Sequence, residues 1–145
     1  MRFKLMNLKI FIAAGVIMLL LVTLAYGPSV SAAGNSVTRV TFNPTTPNIM
    51  VHGQDVAVSF NYVTTQPGGV RIFVRPFSGT SPAPNYSASG ASISPTGSGT
   101  GTQHFTIKAG TVRVDRVRIQ MVDATNQTLV LFEAFLPVYF EFRAP

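Results

Sequence analysis

The sequence predicts a small all-β domain, built as an antiparallel sandwich and preceded by an export signal. Apolar and polar residues alternate in two central runs, 55–63 and 70–75, which is the period of strands with one buried face. Turn-forming residues separate about seven such runs, and no helical periodicity occurs after residue 33. A basic and then apolar stretch stands in front of them.

That N-terminal stretch, residues 1–33, is predicted to be a secretory signal-peptide helix. An uncharged apolar run at 10–25 follows three cationic residues, and small residues at 29–33 resemble a cleavage site. The cationic residues are Arg2, Lys4 and Lys9. A retained membrane anchor is the alternative, because the apolar run is only slightly shorter than a membrane span. Residues 34–145 are expected to form one domain.

Without the leader, the charge of the chain is mild. Residues 34–145 contain eight Lys and Arg against five Asp and Glu, a net charge near +3. This value is too low to predict a nucleic-acid partner, and membrane contact is expected only through an uncleaved N-terminal segment. The chain has no cysteine, so its stability must come from apolar packing.

The two central runs are the best-defined strands. Their expected inward residues are Val56, Val58, Phe60 and Tyr62 in the first run, and Val70, Ile72 and Val74 in the second. The connection 64–69 contains Pro67 and two glycines, which favour a tight turn. We therefore expect either a β-hairpin or a corner at which the chain crosses between sheets.

On either side of these runs, the pattern is less regular. Residues 37–42 predict a short edge strand, and 49–51 a brief second pairing. Between residues 76 and 103, 20 of 28 residues are Gly, Pro, Ser or Thr, which predicts a long loop. A short strand pair is expected within it, at 85–88 and 91–93. The Gly97–Gly101 run is interpreted as flexible loop, since neither a Lys-Ser/Thr pair nor a helix follows it as a phosphate loop requires.

The C-terminal part predicts three further strands. The inward phase changes between Val114 and Val117, which indicates a β-bulge or corner at 115–116. The last run, 128–142, is too long for one flat strand, and Pro137 is expected to bend it. Its predicted inward residues are Val130, Phe132, Ala134, Leu136, Val138, Phe140 and Phe142.

These elements fit an immunoglobulin-like β-sandwich of about seven strands best, with a jelly roll or small barrel as the alternative. Several stretches, at 69–77, 84–86, 97–101 and 114–118, also resemble repeated domains of exported bacterial proteins. The resemblance covers most of residues 36–142. It implies an immunoglobulin- or fibronectin-like accessory module without an established activity, and it supplies no catalytic residue.

The side-chain inventory argues against an enzyme. The acids of residues 34–145 are Asp55, Asp115, Asp123, Glu133 and Glu141, and nothing in the sequence pairs two of them across a cleft. No metalloprotease helix motif or nucleophile elbow occurs. His52 with Asp55 and His104 is a weak alternative for a metal site, because single histidines at strand ends are usually solvated. We expect no catalytic residue, cofactor or bound metal.

One constellation predicts an interaction surface. Arg71, Phe73 and Arg75 face away from the core on one strand, and Arg116 and Arg118 do so on another. In an immunoglobulin-like sandwich these two strands lie side by side. The last strand would add Leu131, Glu133, Phe135 and Tyr139, while Phe77 and Tyr86 are candidate contacts from the loop. Glu133 is expected to pair with Arg116 or Arg118.

Two functions follow as hypotheses for a secreted, cell-surface or periplasmic protein. The first is a non-catalytic binding or adhesion module whose basic-aromatic face takes an anionic glycan or a cell-surface protein. The second is a structural subunit of a surface assembly or filament formed by β-strand addition, through an edge left open by the first or last strand. A merely solvated face, with arginine stems covering Phe73, is the alternative to binding.

Overall fold

The computed structural model describes residues 30–145, which form two packed sheets. The eleven strands are β1 (Val30–Ser31), β2 (Ser36–Asn43), β3 (Asn48–Val51), β4 (Val56–Thr64), β5 (Val70–Ser78), β6 (Ser81–Pro82), β7 (Tyr86–Ala88), β8 (Ile93–Ser94), β9 (Gly97–Ile107), β10 (Val112–Asp123) and β11 (Val130–Arg143). The expected all-β class is confirmed for this range, which holds no helix that could span a membrane. The predicted signal-peptide helix lies outside the described residues, apart from the last few positions of its range.

The large sheet has seven strands in the order β1-β11-β10-β5-β6, with β3 also paired to β11 and β8 to β5. All of its pairings are antiparallel except that of β3, which runs parallel to the C-terminal half of β11. The small sheet has the antiparallel order β2-β4-β9-β7. Because β4 and β5 belong to different sheets, the connection 64–69 is the corner between sheets and not a hairpin.

The inward faces of both sheets meet in one hydrophobic core. The period-two prediction for the central runs is confirmed, because every expected inward residue of β4 and β5 is buried. The largest fully buried side chains include Phe105, Phe140 and Phe142, so both sheets contribute aromatic rings. Phe140 lies 6.1 Å from Phe105 between ring centres, in an edge-to-face contact across the core.

The prediction of a loop over 76–103 is wrong for much of that range. It contains the end of β5, the short strands β6, β7 and β8, and the first seven residues of β9. The predicted strand pair is also wrong in its partners, since β7 pairs with β9 and β8 pairs with β5. The chain therefore crosses from the small sheet to the large one between Ala88 and Ile93.

Glycine-rich β9 is a strand because its neighbour supplies the missing bulk. Gly99 lies opposite Tyr62 and Gly101 opposite Phe60, all on the inward face. A Cβ atom on either glycine would approach the facing ring to 2.7 Å, closer than real contacts allow. The glycines therefore make room for two buried aromatic rings of β4, and Ser98, Thr100 and Thr102 face outward.

Two irregularities shape β10 and β11. The register shifts between Val114 and Arg116, where the sequence predicts a bulge, and Pro137 lies opposite Arg116 at that point. A second shift, between Met121 and Val122, inserts Leu131 as an extra residue. Val130 was predicted to face inward and Leu131 outward. Both predictions are wrong, because Val130 is exposed and Leu131 is buried.

Candidate functional site

The outward face of the large sheet brings together most of the residues predicted to form an interaction surface. In register, Arg118 lies between Arg75 and Phe135, and Gln120 lies between Phe73 and Glu133. Arg116 lies opposite Phe77. We call this set the basic face: Arg71, Phe73, Arg75, Phe77, Arg116, Arg118, Gln120, Glu133 and Phe135.

Two arginines occupy directly opposite backbone positions at the centre of the basic face. Arg75 and Arg118 are direct cross-strand partners, and their guanidinium groups lie over rings on opposite sides of the pair. The only ion pair among residues 30–145 is between Arg143 and Glu141, so no described carboxylate neutralises either of them. The centre of the face therefore carries uncompensated positive charge.

Aromatic rings hold these guanidinium groups in place. Arg75 lies over Phe73, with 5.1 Å from its Cζ to the ring centre, and Arg118 lies over Phe77 at 5.3 Å. Phe77 in turn meets Phe135 edge-on, with 5.2 Å between ring centres. Stacking on rings leaves the planar forks of arginine pre-organised for an anion.

The arginines differ in how they are already used. Arg71 Nη1 donates to the Ala91 carbonyl at 2.6 Å, and Arg75 Nη1 donates to the carbonyls of Val74 and Ser89 at 2.7 and 3.2 Å. The bonds to Ala91 and Ser89 fasten the segment 89–91, which crosses between the sheets. We call this segment the strap. Arg71 and Arg75 are therefore partly structural, which the sequence did not predict.

The other two arginines remain available. Arg116 is exposed, and Arg118 is half-buried. Arg118 Nε is buried without a hydrogen-bond partner among the described residues, and so is Arg71 Nε. Because Arg118 Nε is enclosed by protein, an acceptor from solvent must meet the outer Nη groups of Arg118 instead.

Glu133 lies on the expected sheet and face, but its predicted pairing with Arg116 or Arg118 is wrong. Its Oε2 accepts a hydrogen bond from Gln120 Nε2 at 2.8 Å. The cause is register, since Gln120 is the residue directly opposite Glu133, and Arg118 lies two positions before Gln120 on β10. The carboxylate thus occupies one end of the basic face and leaves the central arginines without an acid.

The two candidate loop contacts are placed differently from expectation. Phe77 belongs to β5 and is buried beneath Arg118, so it supports the basic face instead of extending it from a loop. Tyr86 belongs to β7 in the small sheet and is exposed. It is therefore not part of the basic face.

A group near the C-terminal end of β11 was only partly anticipated. The Arg113 guanidinium lies over the ring of Tyr139, at 5.4 Å from Cζ to the ring centre. The Tyr139 hydroxyl donates to Glu141, and this hydrogen bond raises the pKa of Tyr139. The hydrogen bond from Arg143, followed by that from Tyr139, lowers the pKa of Glu141. Arg113 and Glu141 both occupy outward positions in the period-two alternation of their strands. This pattern was the sequence signal that would have revealed the group.

The remaining acids of the described range have local structural partners or stand alone. Both oxygens of Asp115 accept from the Gly79 N–H, at 3.0 and 3.1 Å. Asp123 Oδ1 accepts three hydrogen bonds within the β10–β11 turn, from the hydroxyl and N–H of Thr125 and the N–H of Asn126. Within residues 30–145, no three histidine, cysteine or acidic residues cluster as metal ligands would. His52 Nε2 instead contacts the Gly110 carbonyl at 2.6 Å.

Two shallow depressions lie at the end of the molecule where β2 turns into β3. Their lining residues are Thr41, Phe42, Thr45 and Thr46 in one, and Pro47, Asn48, Ile49 and Tyr139 in the other. Neither contains a charged side chain. Because the basic face contains charged side chains, it is the stronger candidate site.

No protein-family model, curated protein or solved structure matches this chain.

Proposed function

We propose that this chain is an exported, non-catalytic immunoglobulin-like module that binds an anionic glycan through the basic face. The observation that carries the proposal is the pair Arg116 and Arg118, one opposite Phe77 and the other over its ring, with no ion pair to a described carboxylate. An anion bound by these two guanidinium groups would neutralise their charge through charge-assisted hydrogen bonds. Sulfate and carboxylate groups of glycans have this chemistry.

The strand order supports the immunoglobulin-like part of the proposal. Taking the longer strands and β7 in chain order as A to G, the small sheet reads A-B-E-D and the large sheet G-F-C. This is the arrangement of a seven-stranded immunoglobulin-type sandwich. The predicted leader at residues 1–33 supports export, and the structural use of most of the acids supports a non-catalytic role.

Binding to a defined sulfated oligosaccharide tests the proposal. The double variant Arg116→Gln with Arg118→Gln keeps part of each apolar stem and removes two guanidinium groups. We expect the affinity of the full chain to fall at least about tenfold, equivalent to about 1.4 kcal/mol. Lys108→Gln, at an exposed residue beyond β9, is the single-charge control and should change affinity much less.

The outcomes separate the possibilities. Equal losses of affinity per charge in the double variant and the control would mean that only net charge attracts the ligand, which overturns the proposed site. Binding to an acidic polypeptide, with none to the oligosaccharide, would replace the glycan with a protein partner on the same face. Raising the salt concentration should weaken binding of the oligosaccharide to the basic face, because the contact is between opposite charges.

A further inference from the structure

The N-terminal half of β9 has a free edge. Its partner β4 pairs with Gly97 through Phe105, but β7 covers the other side only from Phe105 to Ile107. Ser89 extends this cover by one residue, because its N–H donates to the His104 carbonyl at 2.9 Å and its hydroxyl accepts from the His104 N–H at 2.8 Å. No strand of the described range pairs with the outer side of residues 97–103.

Strand alternation identifies the backbone groups on this edge. The N–H and C=O of His104 point away from β4, as their bonds to Ser89 show. Backbone groups alternate along a strand, so those of Ser98, Thr100 and Thr102 point the same way. The free edge therefore presents three donors and three acceptors in an extended row.

Two other strand edges, those of β2 and β11, are guarded, and this one is not. Edge strand β2 has a register shift between Thr38 and Thr41, with Arg39 in the left-handed region at φ 51°. The open side of β11 is covered by β1 and β3, and Pro137 lies in the gap between them. Residues 97–103 contain neither a charge nor a proline, the usual devices that stop a strand from pairing with another chain.

We propose that this edge pairs with the same edge of a second copy of the chain, antiparallel and about a twofold axis at Thr100. Thr100 then lies opposite Thr100 of the second copy, and Ser98 opposite its Thr102. Each pair exchanges two backbone hydrogen bonds, so all the free groups of the row are satisfied. The two small sheets join into one continuous sheet.

Two features favour a second copy over an unrelated peptide. An unrelated peptide gains specificity from pockets for its side chains, and the inward positions here are glycines filled by Phe60 and Tyr62. The chain is basic overall, but the segment from Pro76 to Ile107 has no Lys, Arg, Asp or Glu, so two copies bring no like charges together.

The contact is short, so the association should be weak and concentration-dependent. A pairing of about five residues per copy buries far less surface than a standard stable interface, which buries about 1,600 Å². The pairing does not require the proposed glycan, since the basic face belongs to the other sheet, and it can be tested without any ligand.

Disulfide trapping tests the register directly, because the chain has no cysteine of its own. In the proposed pair, the two Thr100 Cα atoms are about 5.5 Å apart, within the range of a disulfide. Oxidation of full-length Thr100→Cys should give several-fold more covalent dimer than Ser98→Cys, whose two copies lie far apart. A mixture of Ser98→Cys and Thr102→Cys should cross-link with each other.

A second measurement uses charge instead of a covalent bond. Thr100→Lys places two cations opposite each other and should weaken self-association in sedimentation equilibrium, as should Thr100→Glu. Their mixture should associate more strongly than either variant alone. Thr41→Lys, exposed on edge strand β2, is the matched control and should behave as the unmodified chain. Equal cross-linking at Ser98 and Thr100, or a monomer at every concentration, would overturn the proposal.

Discussion

The outward faces of the two sheets differ in chemistry although both belong to one sandwich. The large sheet carries four arginines among phenylalanine rings; Arg75 and Arg118 stack on rings, and Arg71 and Arg75 donate hydrogen bonds to the strap. The outward positions of β4 and β9 in the small sheet carry no Lys, Arg, Asp or Glu and are mostly Ser, Thr and Asn. The large sheet therefore presents charged and aromatic side chains to a binding partner. The small sheet presents free backbone N–H and C=O groups.

The two outward faces therefore contribute differently to folding stability and to binding. On the large sheet, the outward face includes buried atoms, so changes there should affect folding as well as binding. On the small sheet, Gly99 and Gly101 of β9 pack tightly on the inward side, while Ser98, Thr100 and Thr102 are exposed on the outward side. Its outward side should tolerate substitution, and the four predictions below test this contrast.

Phe77→Ala should have the largest effect. Phe77 is only 6% exposed and supports both Arg118 and Phe135. Removal of a buried phenylalanine ring should lower the free energy of unfolding by about 3–5 kcal/mol in urea denaturation. Thr100→Ala, outward on the small sheet, should change it by less than about 0.5 kcal/mol. Similar losses in both variants would contradict the contrast between the two faces.

Gly101→Ala should have the next largest effect. The new methyl group would meet the Phe60 ring at 2.7 Å, so the core must shift, at a cost of about 1–3 kcal/mol in the free energy of unfolding. Ser98→Ala is the control on the same strand, with its side chain facing outward. Adding Phe60→Leu to Gly101→Ala should recover part of the loss, and simple additivity in this double-mutant cycle would show that ring and glycine are uncoupled.

Acid sensitivity should arise mainly in the large sheet, whose strands hold every described acid except Asp55. Hydrogen bonds from the Thr125 hydroxyl, then from the N–H groups of Asn126 and Thr125, lower the pKa of Asp123 below its usual 3.8. The unfolded chain therefore binds this proton more readily. The stabilisation from Asp123 is present above about pH 3.8 and is lost as the pH falls through the folded value.

Asp123→Asn separates this charge from its hydrogen bonds. All three bonds go to Oδ1, which an asparagine retains. We expect melting temperatures near those of the unmodified chain at pH 7 and a shallower decline below pH 4, measured by circular dichroism. An unchanged decline in the variant would assign the acid sensitivity to other carboxyls, with Glu141 as the next to test.

Glu133→Gln should have the smallest effect on stability. A glutamine oxygen can still accept from Gln120, so the variant changes charge more than hydrogen bonding. The free energy of unfolding should change by no more than about 1 kcal/mol. The basic face becomes more positive, so affinity for a sulfated oligosaccharide should rise. A fall in affinity would mean that Glu133 itself contacts the ligand.

The sequence predicted most of what depends on parity along a strand. Inward and outward sets on β4 and β5 follow from period-two alternation, and so does the arginine face shared by β5 and β10. The bulge near Asp115 was visible as a change of phase. These features are local, and each strand carries its own signal.

Other features depend on two distant segments and left no local signal. Gly99 and Gly101 look like loop residues, because the bulk that fills their side of the core belongs to Phe60 and Tyr62 on another strand. The Gln120 partner of Glu133 depends on the cross-strand register, which the extra residue Leu131 helps to set. The strap contacts of Arg71 and Arg75 likewise join positions 14 to 20 residues apart.

Those strap contacts have a thermodynamic consequence. An anion that takes Arg71 or Arg75 must compete with the carbonyls of Ala91 and Ser89. Ligand occupancy and release of the strap would then be linked equilibria, in which each changes the free energy of the other by the same amount. Since Ser89 also covers the His104 end of β9, a loosened strap would lengthen the free edge. Binding of a ligand to the large sheet would thereby change the free edge of the small sheet.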